Sequence, residues 1–501
     1  MSKTKNRPNI LFLFADQQRA DTIHELGNSM IRTPNLDRLV REGTAFERCY
    51  SPSPVCIPAR CCMHYGMNAL KTGVAENGKV MIEDNGRSLP GLLGEAGYRT
   101  HAVGKCHFKP DRNALRGFQS RKTQEEVMSD PDKDDYLRWL KDNGYDYYEP
   151  HGARSELYST AQVSSLPAEA HPTQWVADRS IEFIREASSA NAPWMLFGSF
   201  IHPHPPVSPP KPWHRLYRGP LMPLPNLPPN YEALKTWINH VQNRSGFWDP
   251  GTSLHQARNF KAFYYSAISF VDYQIGRILA ALGDTGRLDN TLIVFSSDHG
   301  EYLGDYNCFG KCSMHDASSR IPMIVRYPSH FPAGLRCMRP SSLIDVFPTL
   351  LKAAGIESVE SDGEDLASVA AGRNSRDFVF SHYSRGGTGI HMVVSERWKY
   401  FHSLGDQKEF LFDRISDPLE TQNLAGNAFR KNEKEIMKQT LLRHLLENGC
   451  SEAVIKDGEK LNWKIYPKYQ IPNSEDPDSG LMIQDYPSYP MNLPGYSENR
   501  V

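Results

Sequence analysis

Residues Ile10-Leu-Phe-Leu-Phe14 form a continuous apolar run without alternation, the pattern of a strand covered on both faces, as in a parallel sheet. The run ends in Asp16-Gln17-Gln18. Thr33 to Gly43 supplies an N-cap, a proline in the first turn and a closing glycine, so it predicts a short helix. Tyr98 to Val103 predicts a strand leading to Gly104-Lys105-Cys106-His107, and Trp194 to Ile201 another leading to His202-Pro203-His204. Phe260, Phe263, Tyr264, Ile268, Val271, Ile275, Ile278 and Leu279 fall at helical spacing before Gly283. Thr291 to Ser297 is again strand-like and ends in Asp298-His299-Gly300.

Strands alternating with helices imply an α/β fold with a large, mostly parallel sheet flanked by helices, whose active site lies beyond the carboxyl ends of the strands. Each of these strand ends taken singly could be a capped turn. Near residue 385 the pattern changes: Ile390–Val394, Trp398–His402 and Glu409–Phe412 read as short strands joined by turns, followed by a helical segment over about Asn427–Asn448. We therefore divide the chain into a catalytic α/β domain (1–385) and a smaller unit (386–501) with an antiparallel sheet, one helix and an extended tail from about Trp463, rich in Tyr, Pro and Asn.

Composition narrows the function only by exclusion. A formal charge of -1 gives no global reason to expect nucleic acid or an acidic membrane surface as partner. Nine cysteines are odd in number and lack the spacing of a disulfide scaffold or zinc ribbon, so most are expected to be reduced core residues. No apolar run reaches the roughly 18 residues that suggest a membrane span, and Met1–Pro8 has no signal-peptide pattern. A cytoplasmic location is the expectation for the chain as given, with a periplasmic or secreted one open if a signal segment was trimmed.

Cys56-Ile57-Pro58-Ala59-Arg60 carries the sharpest chemistry. A helix over about Pro58–Tyr65, closed by Gly66, would hold Cys56 at an amino end that favours anions, with Arg60 four residues on. The string resembles the sulfatase signature, Cys-x-Pro-x-Arg with glycine six residues beyond the arginine, here Gly66. Ala59 stands where serine is frequent, and His64-Tyr65 replaces the common pair before the glycine. The resemblance implies an alkaline-phosphatase-like sulfatase fold. It also implies oxidation of Cys56 to formylglycine by a maturating enzyme, and hydration of that aldehyde to a diol.

Further motifs carry the same resemblance. Asp16, Gln17, Asp298 and His299 suit one divalent cation, or else an Asp-His hydrogen bond with Asp16 as a helix or turn cap; for a cation, oxygen-rich ligation favours calcium, and the imidazole leaves manganese or zinc open. The resemblance assigns them, with Cys56, to the metal. Gly104-Lys105-Cys106-His107 is similar to the family's Gly-Lys-x-His motif, which implies that Lys105 neutralises a sulfate oxygen and His107 hydrogen-bonds the diol. Phosphonate monoester hydrolases usually carry Tyr and Thr at these two places. Pro203-His204-Pro205 resembles the loop whose histidine approaches the leaving group, with His202 the competing choice; Lys311, thirteen residues past Asp298, matches a second sulfate-binding lysine. Asn77, twenty-one past Cys56, matches a polar position near the nucleophile, or is a turn residue in Glu76-Asn77-Gly78. Asp316…Arg320-Ile-Pro322, Asp345…Pro348-Thr349 and Leu411-Phe-Asp413 look like later, mainly structural landmarks.

The implied reaction is hydrolysis of a sulfate monoester. An oxygen of matured residue 56 attacks sulfur, Asp298 accepts its proton, His204 or Lys311 protonates the departing alcohol, and His107 helps expel sulfate. Arg60, Lys105 and Lys311 then stabilise sulfuryl charge. A sulfated carbohydrate is the expected substrate, with aryl or choline sulfate behind it, and loops 108–170 and 205–255 (Trp213, His214, Arg215, Trp237, His240, Arg244) either bind the sugar or pack. The alternatives are a phosphonate monoester or phosphodiester hydrolase on the same scaffold, a non-catalytic binding protein, and a thiol hydrolase using unmodified Cys56.

Overall fold

The structure is a computed structural model and describes residues 7–126, 131–145, 149–154, 160–190, 192–246, 253–357, 359–373 and 376–470. Its centre is an eight-stranded sheet in the order Leu335–Cys337, Thr44–Phe46, Met323–Arg326, Thr291–Ser297, Asn9–Asp16, Trp194–Pro203, Arg99–Gly104, Ser120–Thr123. The pairs are parallel except where Met323–Arg326 runs against both of its neighbours. Every residue of Asn9–Asp16 is buried. Ile10, Phe12 and Phe14 enter one core, whereas Leu11, Leu13 and Ala15 enter the other. The period of two along a strand thus explains why the apolar run needs no polar alternation: each face meets its own helical layer. At about 1.5–3 kcal/mol per buried large apolar side chain, this strand anchors both cores.

One core receives the helices Cys56–Tyr65, Leu89–Glu95 and Val346–Ala353; the other receives Pro34–Glu42, Pro172–Ser188 and the long Leu254–Asp284. The long helix starts in a capping box, with the Ser253 hydroxyl accepting from Gln256 N–H and the Gln256 side chain accepting from Ser253 N–H. Its Asp272 accepts from the N–H groups of Asn35 (3.1 Å) and Leu36 (2.7 Å), so one helix caps the amino end of another.

The predicted Thr291–Ser297 strand has the observed bounds, the one expected at Tyr98–Val103 is shifted by one residue to Arg99–Gly104, and Trp194–Pro203 and Leu254–Asp284 run longer than predicted. The signature helix begins two residues before Pro58, so Cys56 is its first residue. Gly66 closes it at φ 68°, and a Cβ there would lie 2.5 Å from the Phe347 ring.

The small sheet is an antiparallel meander of Val379–Tyr383, Ile390–Val394, Trp398–Ser403 and Lys408–Asp413; its first strand precedes residue 385. Met392, Phe401, Phe410 and Phe412 pack on Tyr302, Tyr306 and Met314 of the large unit, while Val393, Tyr400 and Leu411 pack on the helix Lys431–Glu447. Lys460–Trp463 pairs with Val454–Asp457, and beyond it Tyr469 N–H donates to Gly405 O at 2.9 Å. The rest of the predicted tail, 471–501, lies outside the described residues. All nine cysteines are buried free thiols. Among the described residues no helix is long and apolar enough to cross a membrane.

Candidate active site

The strands ending at Asp16, Gly104, Pro203 and Ser297 are parallel neighbours, so their carboxyl ends open at one edge of the sheet and deliver Asp16-Gln17, Lys105-Cys106-His107, His204 and Asp298-His299 together. The signature helix brings Cys56 to the same edge. Its Sγ lies 3.2 Å from His299 Nε2, 3.1 Å from Lys311 Nζ and 3.8 Å from Asp16 Oδ1. Val55, the residue before the helix, has no capping side chain; instead Ile57 N–H donates to Asn77 Oδ1 at 3.0 Å. Asn77 therefore fixes the helix end that carries the nucleophile.

Asp16, Cys56, Asp298 and His299 are all buried and offer ligand atoms within 4.8 Å of one another. His299 Nδ1 faces the Gly300 carbonyl at 3.0 Å and so carries the proton. Its Nε2 lone pair then faces Asp298 Oδ1 at 3.5 Å and Asp16 Oδ1 at 3.8 Å. Burial holds this imidazole down to about 4, hence neutral near pH 7. Converging lone pairs and carboxylate oxygens repel one another unless a cation lies among them, so these residues fit a divalent metal. Gln17 sits beside them at φ 63°, with its carbonyl accepting from the Tyr264 hydroxyl (2.5 Å) and its amide N–H donating to Asp298 Oδ1 (3.0 Å). A left-handed non-glycine backbone costs on the order of 1–3 kcal/mol, and His107 (φ 57°) and Cys312 (φ 74°), next to Lys311, share it.

Lys311 is the hub of the polar side. Its Nζ reaches Gln17 Oε1 (2.8 Å), Cys56 Sγ (3.1 Å) and His204 Nε2 (3.0 Å). Lys105 bridges Asp16 Oδ2 and Glu126 Oε2, each at 2.7 Å. Although burial would raise the Asp16 carboxyl, Lys105, His204 and Arg60 hold it well below the usual carboxylate range. Burial pushes the Cys56 thiol up to about 11, with Asp16 adding to the rise and Lys311 opposing it. Burial also lowers His107, whose Nδ1 is buried without a hydrogen-bond partner among the described residues.

Two sequence expectations change, and the loop aromatics take the packing alternative. Arg60 does not face a substrate: its four hydrogen bonds go to Asp298 Oδ2, Asp16 Oδ2, Lys105 O and Ser199 Oγ, and Phe14 lies 5.0 Å beneath it. The expected contact with sulfuryl oxygens is thus replaced by a clamp on two carboxylates, because the helix turns residue 60 back under the strand ends. His202 points away from the cluster, toward Thr173 Oγ1 (3.2 Å) and Ser208 Oγ (3.5 Å), and packs at a tilt against His171; His204 is the histidine that joins the site. Trp213 and His214 pack on Phe270, Tyr273 and Phe263 of the long helix, and Trp237 packs on Tyr469. The side chain of Arg244 lies outside the described residues.

Sequence reasoning missed two buried acids. Glu126 binds Lys105 and Arg154 (2.8 Å) and lies 3.5 Å from His204 Nδ1; His204, Lys105 and Arg154 hold it well below the carboxylate range against burial. Glu301 accepts from Gln17 Nε2 and from the N–H groups of Leu303 (3.1 Å) and Gly310 (2.6 Å), and burial raises it to about 7. Paired carboxylates after the Ser120–Thr123 strand, and an acid directly after Asp298-His299-Gly300, were the available signals.

A helix-covered sheet with a buried nucleophile-bearing helix end, a metal-competent donor set and lysines at one edge defines a hydrolase of anionic esters in the alkaline-phosphatase-like class. The family model "Sulfatase" matches residues 8–356, and the model "N-sulphoglucosamine sulphohydrolase, C-terminal" matches residues 304–447. The chain is 31% identical to an arylsulfatase of Clostridium perfringens over 92% of its own length and 98% of that relative. It is 26% identical to an N-acetylglucosamine-6-O-sulfatase of Bacteroides thetaiotaomicron, covering 86% of this chain and 85% of the relative. The solved phosphonate monoester hydrolase of Agrobacterium radiobacter superposes with a TM-score of 0.77 at 26% identity, covering 91% of this chain and all 100% of that one. The chain belongs to the sulfatase family, whose members are sulfuric ester hydrolases that use a divalent metal and a formylglycine.

Proposed function

We propose that this sulfatase releases sulfate from a carbohydrate sulfate monoester, using calcium and a formylglycine made from Cys56 by a maturating enzyme. The observation that carries this reading is the convergence of Asp16, Cys56, Asp298 and His299 on one point, with Lys311 against the Cys56 sulfur. Calcium suits a set in which carboxylate and amide oxygens outnumber one imidazole nitrogen. The N-acetylglucosamine-6-O-sulfatase relative supports the sugar. An unmodified thiol held up at about 11 is a poor nucleophile near neutral pH, which argues against a thiol hydrolase.

When bound, the cation supplies Lewis-acid charge that favours ionisation of a hydroxyl at residue 56. Arg60 holds Asp16 and Asp298 in the ligand geometry. Lys311 and Lys105 carry fixed positive charge to the sulfuryl oxygens, worth on the order of 3 kcal/mol of barrier per preorganised donor. His204 Nε2, on the Lys311 side, protonates the departing alcohol, and neutral His107 accepts a proton.

The test is sulfate release from 6-sulfated N-acetylglucosamine by protein made with and without a maturating enzyme, with the mass of the Cys56 peptide and the metal content measured on the same samples. Activity should track conversion of Cys56, disappear in Cys56→Ala and in chelator, and return with calcium. Full activity in Cys56→Ala would refute the reading. Similarity to the phosphonate monoester hydrolase favours a second reading, so aryl phosphonate monoesters belong in the same assay. Faster turnover of those than of any sulfate ester would select it.

A further inference from the structure

Glu126 is a buried acid among Lys105, Arg154 and His204, outside the proposed metal set. One oxygen, Oε2, takes Lys105 Nζ at 2.7 Å; the other, Oε1, takes Arg154 at 2.8 Å and faces His204 Nδ1 at 3.5 Å. His204 Nδ1 also lies 2.5 Å from the Pro205 carbonyl, which can only accept, so Nδ1 carries hydrogen. That fixes the tautomer: the remaining nitrogen, Nε2, points into the site at 3.0 Å from Lys311 Nζ, on the side of Cys56. A carboxylate behind one ring nitrogen with the other aimed at the reacting centre is the arrangement that orients an imidazole and stabilises its cation. Lys105 already has Asp16 as a counterion at 2.7 Å, and Arg154 fixes the acid from behind, so Glu126 is held where it can serve the histidine.

We propose that Glu126 is the positioning residue for His204 as general acid, which makes it the determinant of how poor a leaving alcohol this enzyme can expel. The inference rests on the sulfate-ester reading above. In the step, the attacking hydroxyl at residue 56 gives its proton to Asp298 as its oxygen forms the new S–O bond, the bond between sulfur and the alcohol oxygen breaks with its electron pair going to that oxygen, and the alcohol oxygen takes a proton from Nε2, which receives it from the Lys311 ammonium 3.0 Å away and leaves Lys311 a neutral amine. The imidazole is neutral before and after the transfer and keeps its Nδ1 hydrogen. The charged groups acting on His204 are Glu126, Lys311, Asp16 and Lys105; burial lowers the imidazole, and Glu126 is the foremost group opposing that fall.

A general acid matters for alkyl and sugar leaving groups and hardly at all for nitrophenolate, which leaves unprotonated. Glu126→Gln should therefore lower kcat/KM about a hundredfold on sugar and alkyl sulfates and less than about fivefold on 4-nitrophenyl sulfate, within the range a general acid supplies. The leaving-group dependence across a series of aryl and alkyl sulfates should steepen. His204→Asn should show the same signature, and the double variant should be no worse than His204→Asn alone. Glu126→Asp keeps one negative charge among Lys105, Arg154 and His204 but shortens the side chain by one methylene; it should show the same steepening in a protein that folds, checked by circular dichroism. Equal losses on all leaving groups, or additive losses in the double variant, would overturn the inference while leaving the sulfatase reading intact. A wild-type enzyme that releases sulfate from none of these esters would overturn both.

Discussion

Arg60→Met tests whether this arginine clamps carboxylates or touches substrate. The guanidinium is 2% exposed and sits between Asp16 and Asp298, whose side chains are both 0% exposed. Methionine keeps the length and the contact with Phe14 but removes the charge. Asp16 retains Lys105 at 2.7 Å, so the loss falls on Asp298, whose Oδ2 loses its salt-bridge partner. One buried carboxylate stripped of its cation costs about 3–5 kcal/mol, and urea denaturation in chelator should read that loss. Calcium at a hundred times its dissociation constant returns about 2.7 kcal/mol to a folded state that binds it. Because the variant's pocket is one charge more negative, calcium should narrow the gap from wild type. The opposite pattern, a variant as stable as wild type in chelator with kcat down about a hundredfold, is what a direct contact with the transition state produces. That result would refute the clamp.

Three further outcomes follow from the same geometry. Burial raises the Asp272 carboxyl from 3.8 to about 6, so the folded state binds its proton more tightly than the unfolded chain. This group therefore adds stability as pH falls from about 6 to 4, on the order of 2–3 kcal/mol, and Asp272→Asn should flatten that part of the stability profile. Asn77→Ala removes the acceptor from Ile57 N–H and should cost about 1 kcal/mol of stability, with a larger loss of turnover because the helix end carries residue 56. Gly66→Ala meets the Phe347 ring and a left-handed backbone at once, so its melting temperature should fall by more than a cap substitution alone produces, read by calorimetry.

Much of the fold is legible in local patterning because a strand buried on both faces needs an unbroken apolar run, and Ile10–Phe14 and Leu292–Phe295 supply it. The same runs mark where strands end, so Asp16, Lys105, His204 and Asp298 could be nominated as neighbours once the sheet was taken as mostly parallel. The signature at Cys56–Arg60 identified the chemistry before any geometry was known. What patterning could not say is which way a side chain turns after its strand ends. His202 and His204 are two residues apart on one strand end, and only the packing of Thr173 and Ser208 against the first sends the second into the site.

The chain by itself thus determined the alternation of strands and helices, which depends on residue type and short spacing, while the reactive cysteine and the metal-competent acids were nominated by the resemblance of their short motifs to the sulfatase family. Tertiary structure alone decided that Arg60 serves two carboxylates and that Glu126 stands behind His204 and Glu301 behind Gln17. Those partners come from separate strands and loops, and a buried charge takes whichever counter-charge the strand order brings within about 3 Å, since leaving it unpaired in the interior costs more than any local preference can supply.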